Sequence, residues 1–331
     1  MLPIDSLMAA PLRIRGNVLG VFAVINKRAG TAFEEQDMHL LQALADQAAV
    51  TVDLVSLLDQ VAEKQRIEQE LQVARDFQRM LLPDHCPRAE GFDLAAFSAP
   101  AREVGGDFYD FIELGEGRIG IAIADVSGKG IPGALIMAMA KSVLRAEAGI
   151  RDTPRQVLKR VNERVFANTK ESVFITMTYG VLDARAGRFR FARAGHEPLL
   201  TCSAGSREVR ERAPAGIALG MVGEEIFDLI EEDEIQFEPD GLTVLYTDGA
   251  VEAMNESDEE YGHGRLYDSM KSRAGLTCGE LLRGVVEDID AFRQQAPQYD
   301  DITLVAIRAL APGQSASAPE PKTQALAASG G

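Results

Sequence analysis

Four aspartates, far apart along the 331-residue chain, each adjoin a short apolar run that predicts a buried β-strand. They are Asp107, Asp125, Asp248 and Asp300, and each is expected where a strand ends and a turn begins. Small residues beside each one leave space for a ligand. If the carboxylates converge, they repel one another unless a cation lies between them. Oxygen ligands without His or Cys suit Mg²⁺ or Mn²⁺ rather than Zn²⁺. The pattern requires a fold that joins four strand ends, and it points to metal-dependent hydrolysis.

A single Asp-Gly pair is more often an ordinary turn than a ligand, so the order of the motifs carries the argument. Five motifs occur in this order: Glu103-Val104-Gly105-Gly106-Asp107-Phe108-Tyr109-Asp110, Ala124-Asp125-Val126-Ser127-Gly128-Lys129-Gly130, Ala194-Gly195-His196-Glu197-Pro198, Tyr246-Thr247-Asp248-Gly249 and Asp300-Asp301-Ile302-Thr303. Together they resemble the bacterial PPM-type (type 2C) serine/threonine phosphatases of the SpoIIE/RsbU family, which regulate stress and sporulation sigma factors. The resemblance runs from residue 92 to residue 309, roughly two thirds of the chain.

The resemblance implies an α+β fold, with two stacked antiparallel sheets in a β-sandwich flanked by helices. It also implies two Mn²⁺ or Mg²⁺ ions that activate a water. The implied ligands are Asp107, Asp125, the Val126 carbonyl, Asp248, Asp300 and Asp301. Asp125 matches the family's bridging acid. Within the adjacent pair, Asp300 is favoured over Asp301 because it stands at the family's ligand position.

Other residues near the motifs have open roles. Arg102 and Lys129 could each contact the substrate phosphate, or each could be a surface charge. Ser127 stands where the eukaryotic branch has a histidine proposed as general acid, so the acid for the leaving group is unassigned. His196 is a candidate by its chemistry, and a structural histidine that pins a turn is the alternative. Asp110 is interpreted as a structural group that supports the site.

Residues 1–49 resemble the C-terminal half of a GAF sensor domain. A continuous apolar run at 18–25 predicts a buried strand, and Ile25-Asn26-Lys27 supplies the family's turn. Thr31-Ala32-Phe33-Glu34 predicts a capping box that opens a helix. Only about half of such a domain is present, so either the true start lies upstream or this segment buries its apolar face against another chain. A structural scaffold without a ligand is favoured.

Residues 50–82 contain no Gly or Pro and predict one long linker helix. Apolar positions follow one register at Leu54, Leu57, Leu58 and Val61, and another at Ile67, Leu71, Ala74 and Leu81, with Gln78 in the remaining core position. The shift between them indicates a stutter. A parallel dimeric coiled coil that joins sensor to catalyst is preferred, and a single packed helix is the alternative. Pro83 ends the helix.

The catalytic region, residues 92–310, predicts helices at 131–148 and 153–168 among short strands. The strands are predicted at 118–125, 173–182, 188–194, 242–246 and 302–308. Residues 311–331 are rich in Ala, Ser, Pro and Gly, and we expect a disordered tail.

The net charge of −17 disfavours nucleic acid and anionic membranes as partners. No apolar run approaches the roughly 20 residues that a membrane span needs, and we expect no signal peptide. A cytoplasmic enzyme follows.

The preferred function is a phosphatase that acts on a phosphorylated anti-sigma-factor antagonist or a similar small partner-switching protein. A catalytically silent scaffold with a phosphatase-like fold is the alternative, although the complete set of acids argues against it. An enzyme acting on nucleotides is a third possibility, but the sequence has no P-loop.

Overall fold

The computed structural model describes residues 3–28, 32–102, 104–128, 130–169, 173–203, 208–311 and 314. The chain divides into two compact units, residues 1–70 and residues 71–331. The predicted capping-box residue Thr31, the candidate phosphate ligand Lys129 and most of the predicted tail lie outside the described residues.

In the first unit, strands β1 (Leu7–Ile14) and β2 (Asn17–Ile25) form an antiparallel hairpin. The turn residues Arg15 and Gly16 both have positive φ, 48° and 89°, which is the backbone of a tight hairpin turn. One face of the hairpin buries Met8 and Ala10 in a small apolar cluster with Leu41 of the following helix. Strand β2 covers the strand predicted at 18–25.

Helix α1 (Glu35–Leu81) is one continuous helix of 47 residues. The expected boundary at residue 50 is therefore not a break in the helix, because no Gly or Pro interrupts residues 35–81. The four apolar residues of the first predicted register are each about half exposed: Leu54, Leu57, Leu58 and Val61. By length and composition, an 18-residue stretch of α1 also passes as a membrane span. This is weak evidence, since a helix that packs on a protein partner has the same composition.

The second unit is a sandwich of two five-stranded antiparallel sheets. The first sheet has the order β10-β7-β6-β5-β4, and the second has the order β3-β12-β11-β8-β9. The strands are β3 (Phe92–Ala99), β4 (Phe108–Gly115), β5 (Arg118–Val126), β6 (Ile175–Asp183), β7 (Arg188–Ala194), β8 (Leu199–Cys202), β9 (Val209–Arg212), β10 (Glu232–Gln236), β11 (Leu242–Tyr246) and β12 (Ile302–Ala309). The predicted strands all occur, with ends shifted by no more than two residues.

Helices cover the outer faces of both sheets. Helices α2 (Ile131–Ala148) and α3 (Pro154–Asn168) pack on the first sheet, and α3 begins at the predicted Thr153 cap. Helices α5 (Gly262–Ser272) and α6 (Cys278–Arg293) pack on the second sheet, and the short α4 (Glu224–Phe227) precedes β10. The sequence analysis missed α5 and α6. A capping box at Thr277 and Glu280 was the available signal for α6.

Side-chain alternation along β5 shows how the layers form. Ile121 and Ile123 point into the core between the sheets, whereas Ala122 and Ala124 point toward α2 and α3. The expected α+β sandwich with flanking helices is confirmed.

Candidate active site

The candidate acids lie at one edge of the sandwich. Asp125 is the penultimate residue of β5, and Asp248 follows β11 after one residue. Asp107 directly precedes β4, and Asp300 stands two residues before β12 begins. The expectation that every acid follows a strand is therefore wrong for these last two. In an antiparallel sheet the start of one strand lies beside the end of its neighbour, so all four still reach the same edge.

The pleat of the strands turns two of these acids toward the gap between the sheets. Asp125 continues the face of β5 that carries Ile121 and Ile123 into the inter-sheet core. Asp107 likewise continues the face of β4 that carries Tyr109. The mouth of the sandwich, where the core between the sheets ends at this edge, is thus lined with carboxylates instead of apolar side chains.

Asp107 is the most deeply buried of the four acids, at 5% exposed. Its carboxylate accepts a hydrogen bond of 2.7 Å from the Thr247 hydroxyl, which itself accepts one of 3.0 Å from the Thr303 N–H. Burial raises the pKa of Asp107 well above its ordinary value, and the charges of Asp125 and Asp301 raise it further. The hydrogen bond from Thr247 to Asp107 joins the loop of the first motif to the end of β11.

Asp248 shows the same accumulation of negative charge. Its pKa is raised from 3.8 to about 7, first by burial and then by the charges of Asp125, Glu252 and Asp300. A carboxyl group that titrates near neutrality is what clustered acids produce when no counter-charge is present. The arrangement therefore favours binding of a cation.

The adjacent acids Asp300 and Asp301 have different surroundings. Asp301 is buried and accepts hydrogen bonds from the backbone N–H groups of Ala101 (2.8 Å), Gly106 (2.6 Å) and Asp107 (3.3 Å). It thus fixes the loop that precedes β4. Asp300 is only half-buried and adds its charge to that at Asp248. These contacts leave the Asp300 carboxylate as the more available of the two for a metal ion, and its role as a ligand stays a prediction.

Glycine lets the acid-bearing loops approach one another. A Cβ on Gly106 would lie 2.8 Å from the Val126 carbonyl oxygen and 3.6 Å from an Asp125 carboxylate oxygen. A Cβ on Gly249 would lie 2.0 Å from the Asp301 carbonyl oxygen. Neither position has space for a larger residue, so both glycines are needed for this packing.

A narrow cleft opens beside the acids. The carboxylates of Asp125, Asp300 and Asp301 line it together with Arg102. Arg102 is exposed, and its guanidinium could meet a phosphate held near the acids. The sequence left open whether Arg102 contacts the phosphate or is only a surface charge, and this placement suits the phosphate contact.

The donors at the mouth fit Mg²⁺ or Mn²⁺. They are carboxylates and the Val126 carbonyl, oxygen groups that these hard ions prefer. Within the described part of the chain, no three Asp, Glu, His or Cys side chains are gathered closely enough to hold a metal ion by themselves. Backbone oxygen and water, which Mg²⁺ retains readily, would have to complete the coordination of an ion there.

Asp110 supports the site from the side of the α2 helix. It is fully buried and pairs with Lys141 at 2.9 Å and with Arg145 at 2.6 Å. Because both cations belong to α2, these contacts fasten that helix to β4, immediately after Asp107. This is the supporting role expected of Asp110.

His196 has the contacts of a structural residue. It is 3% exposed, and its Nδ1 lies 2.8 Å from the Thr176 hydroxyl. Burial, and then the positive charge of Arg193, lower the pKa of His196 to about 3, against a smaller opposing effect of the Tyr246 backbone. A general acid must carry its proton at the working pH, and this imidazole is neutral at pH 7. The geometry favours the structural role over the catalytic one.

Gln78 is a residue whose contacts the sequence analysis did not foresee. Its amide donates a hydrogen bond of 2.7 Å to the Gly105 carbonyl and accepts one of 3.0 Å from the Gly105 N–H. The side chain is 8% exposed, so it packs on the acid-bearing loop and does not face a helical partner. The heptad spacing predicts Gln78 in the coiled-coil seam, and this prediction is wrong. Spacing alone does not reveal which surface a helix faces.

The comparisons with known proteins agree with this architecture. Residues 115–310 match the family model of Stage II sporulation protein E (SpoIIE), and residues 1–52 match that of the GAF domain. The phosphoserine phosphatase RsbU of Bacillus subtilis is 34% identical over 250 residues, which cover 74% of this chain and 71% of RsbU.

Solved structures show the same fold. The PP2C domain of SiaA from Pseudomonas aeruginosa superposes with a TM-score of 0.65 at 26% identity, covering 75% of this chain and 98% of that domain. The RsbU and RsbW domains of a Mycobacterium tuberculosis protein give a TM-score of 0.59 at 26% identity, covering 71% of this chain and 64% of that one.

The two facing sheets, the flanking helices and the acids at the mouth define a PP2C-type phosphatase domain, a metal-dependent class. Within that class, the chain belongs to the SpoIIE family. It is a serine/threonine phosphatase of the PP2C type, with a GAF segment at its N-terminal side.

Proposed function

We propose that this phosphatase hydrolyses phosphoserine or phosphothreonine on a partner-switching regulator, such as a phosphorylated anti-sigma-factor antagonist. The observation that carries the chemistry is the convergence of four aspartates on one mouth, where burial and the charges of Asp125, Glu252 and Asp300 raise the pKa of Asp248 to about 7. The similarity to RsbU supports the class of substrate. A net charge of −17 gives no support to a nucleic acid partner.

Two divalent ions, Mn²⁺ or Mg²⁺, are proposed as cofactors. The carboxylates of Asp107, Asp125, Asp248 and Asp300 and the Val126 carbonyl would hold the ions, with Asp125 at the position of the family's bridging acid. When bound, the ions supply the charge neutralisation and the acidification of water that hydrolysis of a phosphomonoester needs.

The chain's own groups position the acids and the substrate. Thr247 orients the Asp107 carboxylate, and Asp301 fixes the loop before β4 through three backbone N–H groups. Arg102, at the edge of the cleft, would hold the substrate phosphate. Lys129 keeps the same proposed role from sequence alone. His196 contributes by holding Thr176, which is paired with Asp125 across β5 and β6.

The domain organisation is also proposed. Residues 1–49 form a GAF-like sensor segment, residues 50–82 a linker that dimerises, residues 92–310 the phosphatase, and residues 311–331 a tail. The half-exposed apolar side chains of the linker support a helical dimer seam, which would cover them. A cytoplasmic location follows from a phosphoprotein regulator as substrate.

The test is release of phosphate from a panel of phosphorylated antagonist proteins in Mn²⁺. Asp125→Ala should lower turnover by orders of magnitude while the circular dichroism spectrum is retained. EDTA should silence the wild type, and added Mn²⁺ should restore it. Full activity in EDTA would refute the metal mechanism. Absence of turnover on every phosphoprotein and on p-nitrophenyl phosphate would favour the silent scaffold.

A further inference from the structure

Phe174 is an exposed aromatic residue at the mouth that the proposed mechanism does not use. Most phenylalanines of the second unit lie in its cores, and those of β7, Phe189 and Phe191, are fully buried. Phe174 is 37% exposed, although it directly precedes β6, a strand at the centre of a sheet. An aromatic side chain held in solvent beside a candidate active site is available for contact with a substrate.

The register of the first sheet places Phe174 close to Asp125. Asp125 pairs with Thr176 across β5 and β6, and Val126 pairs with Ile175. The next pair, beyond the strand ends, is Ser127 and Phe174. It is held by a 2.9 Å bond from the Ser127 N–H to the Phe174 carbonyl and a 2.7 Å bond from the Phe174 N–H to the Ser127 hydroxyl oxygen.

Strand alternation then sets the side of the sheet on which the ring stands. Phe174 and Thr176 are two residues apart, so both side chains project from the same face, which is also the face of Asp125. Two residues of extended chain span about 7 Å. The ring therefore stands at the mouth, about one side-chain diameter beyond the acid proposed to bridge the metals.

The hydrogen bonds of Phe174 all come from its backbone. Its N–H and its carbonyl are both bonded to Ser127, and neither bond involves the ring. The side chain can therefore change without loss of the pairing beside Asp125. This separates a role in substrate contact from a role in holding the loop.

We propose that Phe174 is a specificity residue, whose ring contacts the residue adjacent to the phosphoserine of the substrate and selects an apolar one. This inference rests on the proposed function. A phosphoserine that reaches the acids must bring its neighbours across the edge of the mouth, where Phe174 is exposed. An aliphatic side chain that buries roughly 55 Å² against the ring would gain about tenfold in binding.

The test uses two synthetic phosphoserine peptides that differ only in the residues flanking the phosphoserine, Leu in one and Gln in the other. With Mn²⁺, the wild type should prefer the Leu peptide in kcat/KM by about tenfold, mainly through KM. Phe174→Ala should reduce the preference to about twofold or less, and Phe174→Leu should retain most of it. Phe174→Gln gives the same test if the alanine variant folds poorly.

Two controls separate substrate contact from general damage. Leu229→Ala removes an exposed apolar side chain beside Asp228, whose carboxylate pairs with Lys159 in the N-terminal half of α3, and it should match the wild type. Hydrolysis of p-nitrophenyl phosphate, which has no flanking residues, should change by about twofold or less in Phe174→Ala.

The outcomes are distinct. A wild type without preference between the peptides, or a Phe174→Ala variant that keeps the full preference, overturns the inference. So does a wild type that cleaves p-nitrophenyl phosphate but neither peptide, although phosphatase activity itself then stands. A wild type that cleaves none of the three substrates refutes the proposed function as well.

Discussion

At the residue scale, the carboxylates of the adjacent residues Asp300 and Asp301 have different roles because they have different neighbours. The Asp301 carboxylate accepts hydrogen bonds from three backbone N–H groups, whereas Asp300, one position earlier, lies close enough to Asp248 to raise its pKa. Sequence analysis ranked the two by their position in a motif. It could not supply the reason, because the three donors to Asp301 come from a loop about two hundred residues away in the chain.

The different contacts of Asp301 and Asp300 predict that substituting one affects stability and substituting the other affects metal binding. Asp301→Ala leaves buried N–H groups without an acceptor and should lower the free energy of unfolding by about 2 to 3 kcal/mol. Asp300→Asn should leave stability nearly unchanged and raise the Mn²⁺ concentration for half-maximal rate by about tenfold or more. Urea unfolding and Mn²⁺ titration of the rate measure the two effects. Equal losses of stability in both variants would contradict the assignment.

The raised pKa of Asp248 predicts a pH dependence of the metal-free protein. Between its unfolded value of 3.8 and its folded value of about 7, the folded state holds a proton that the unfolded state has released. Stability from this group is therefore present at low pH and is lost as the pH rises toward 7 and above. In EDTA, the melting temperature should fall between pH 5.5 and pH 8.

Because Mn²⁺ competes with that proton, its stabilising effect should be larger at pH 8 than at pH 5.5. Scanning calorimetry at both pH values, with EDTA or Mn²⁺, measures it. Asp248→Asn is the control and should weaken the dependence. An equal gain from Mn²⁺ at both pH values would argue against Asp248 as a ligand.

At the scale of elements, local pattern predicted helices α2 and α3 and the strands that it named, but it missed α5 and the capped helix α6. The α2 helix and strands β7 and β11 have the predicted bounds, because Pro, Gly and alternating apolar residues mark their limits. The sequence pattern failed where tertiary contacts decide how far an element extends or which surface it faces. Helix α1 runs through the expected boundary at residue 50, and near its end Gln78 faces the acid-bearing loop.

The proposed dimer seam of α1 gives a test at this scale. Leu57 is half exposed, so Leu57→Lys should cost the single chain little but place a charge in the seam of a dimer. Sedimentation should show a shift from dimer to monomer. Gln60→Lys, at a polar exposed position of the same helix, is the matched control and should remain dimeric. A variant Leu57→Lys that stays dimeric would place the interface elsewhere.

At the scale of the whole molecule, the fold class followed from the family resemblance and from the strand pattern, whereas the assembly of the site did not. The acids come from loops that no local rule connects, and their convergence depends on the pairing of distant strands. The sequence analysis placed each acid after a strand. Only the antiparallel topology shows why acids before and after strands reach one edge.

A truncation tests whether the linker controls the phosphatase. Deleting residues 1–58 removes three of the four residues of the first apolar register of α1 and should change both the oligomeric state and the basal rate, because a dimeric helix can switch between two packings. Sedimentation and phosphatase rate are measured on the same preparations. A truncated protein that is monomeric, yet as active as the full chain, would show that the helix is only a tether.

The position of β12 has a consequence for the life of the newly made protein. This strand is the last one in the described part of the chain, yet it lies inside the second sheet, between β3 and β11, and the loop before it carries Asp300 and Asp301. While the chain is still being translated, the sandwich lacks a central strand and two of its acids, so a ribosome-bound nascent chain is inert. Dephosphorylation can begin only after residue 309 has left the exit tunnel.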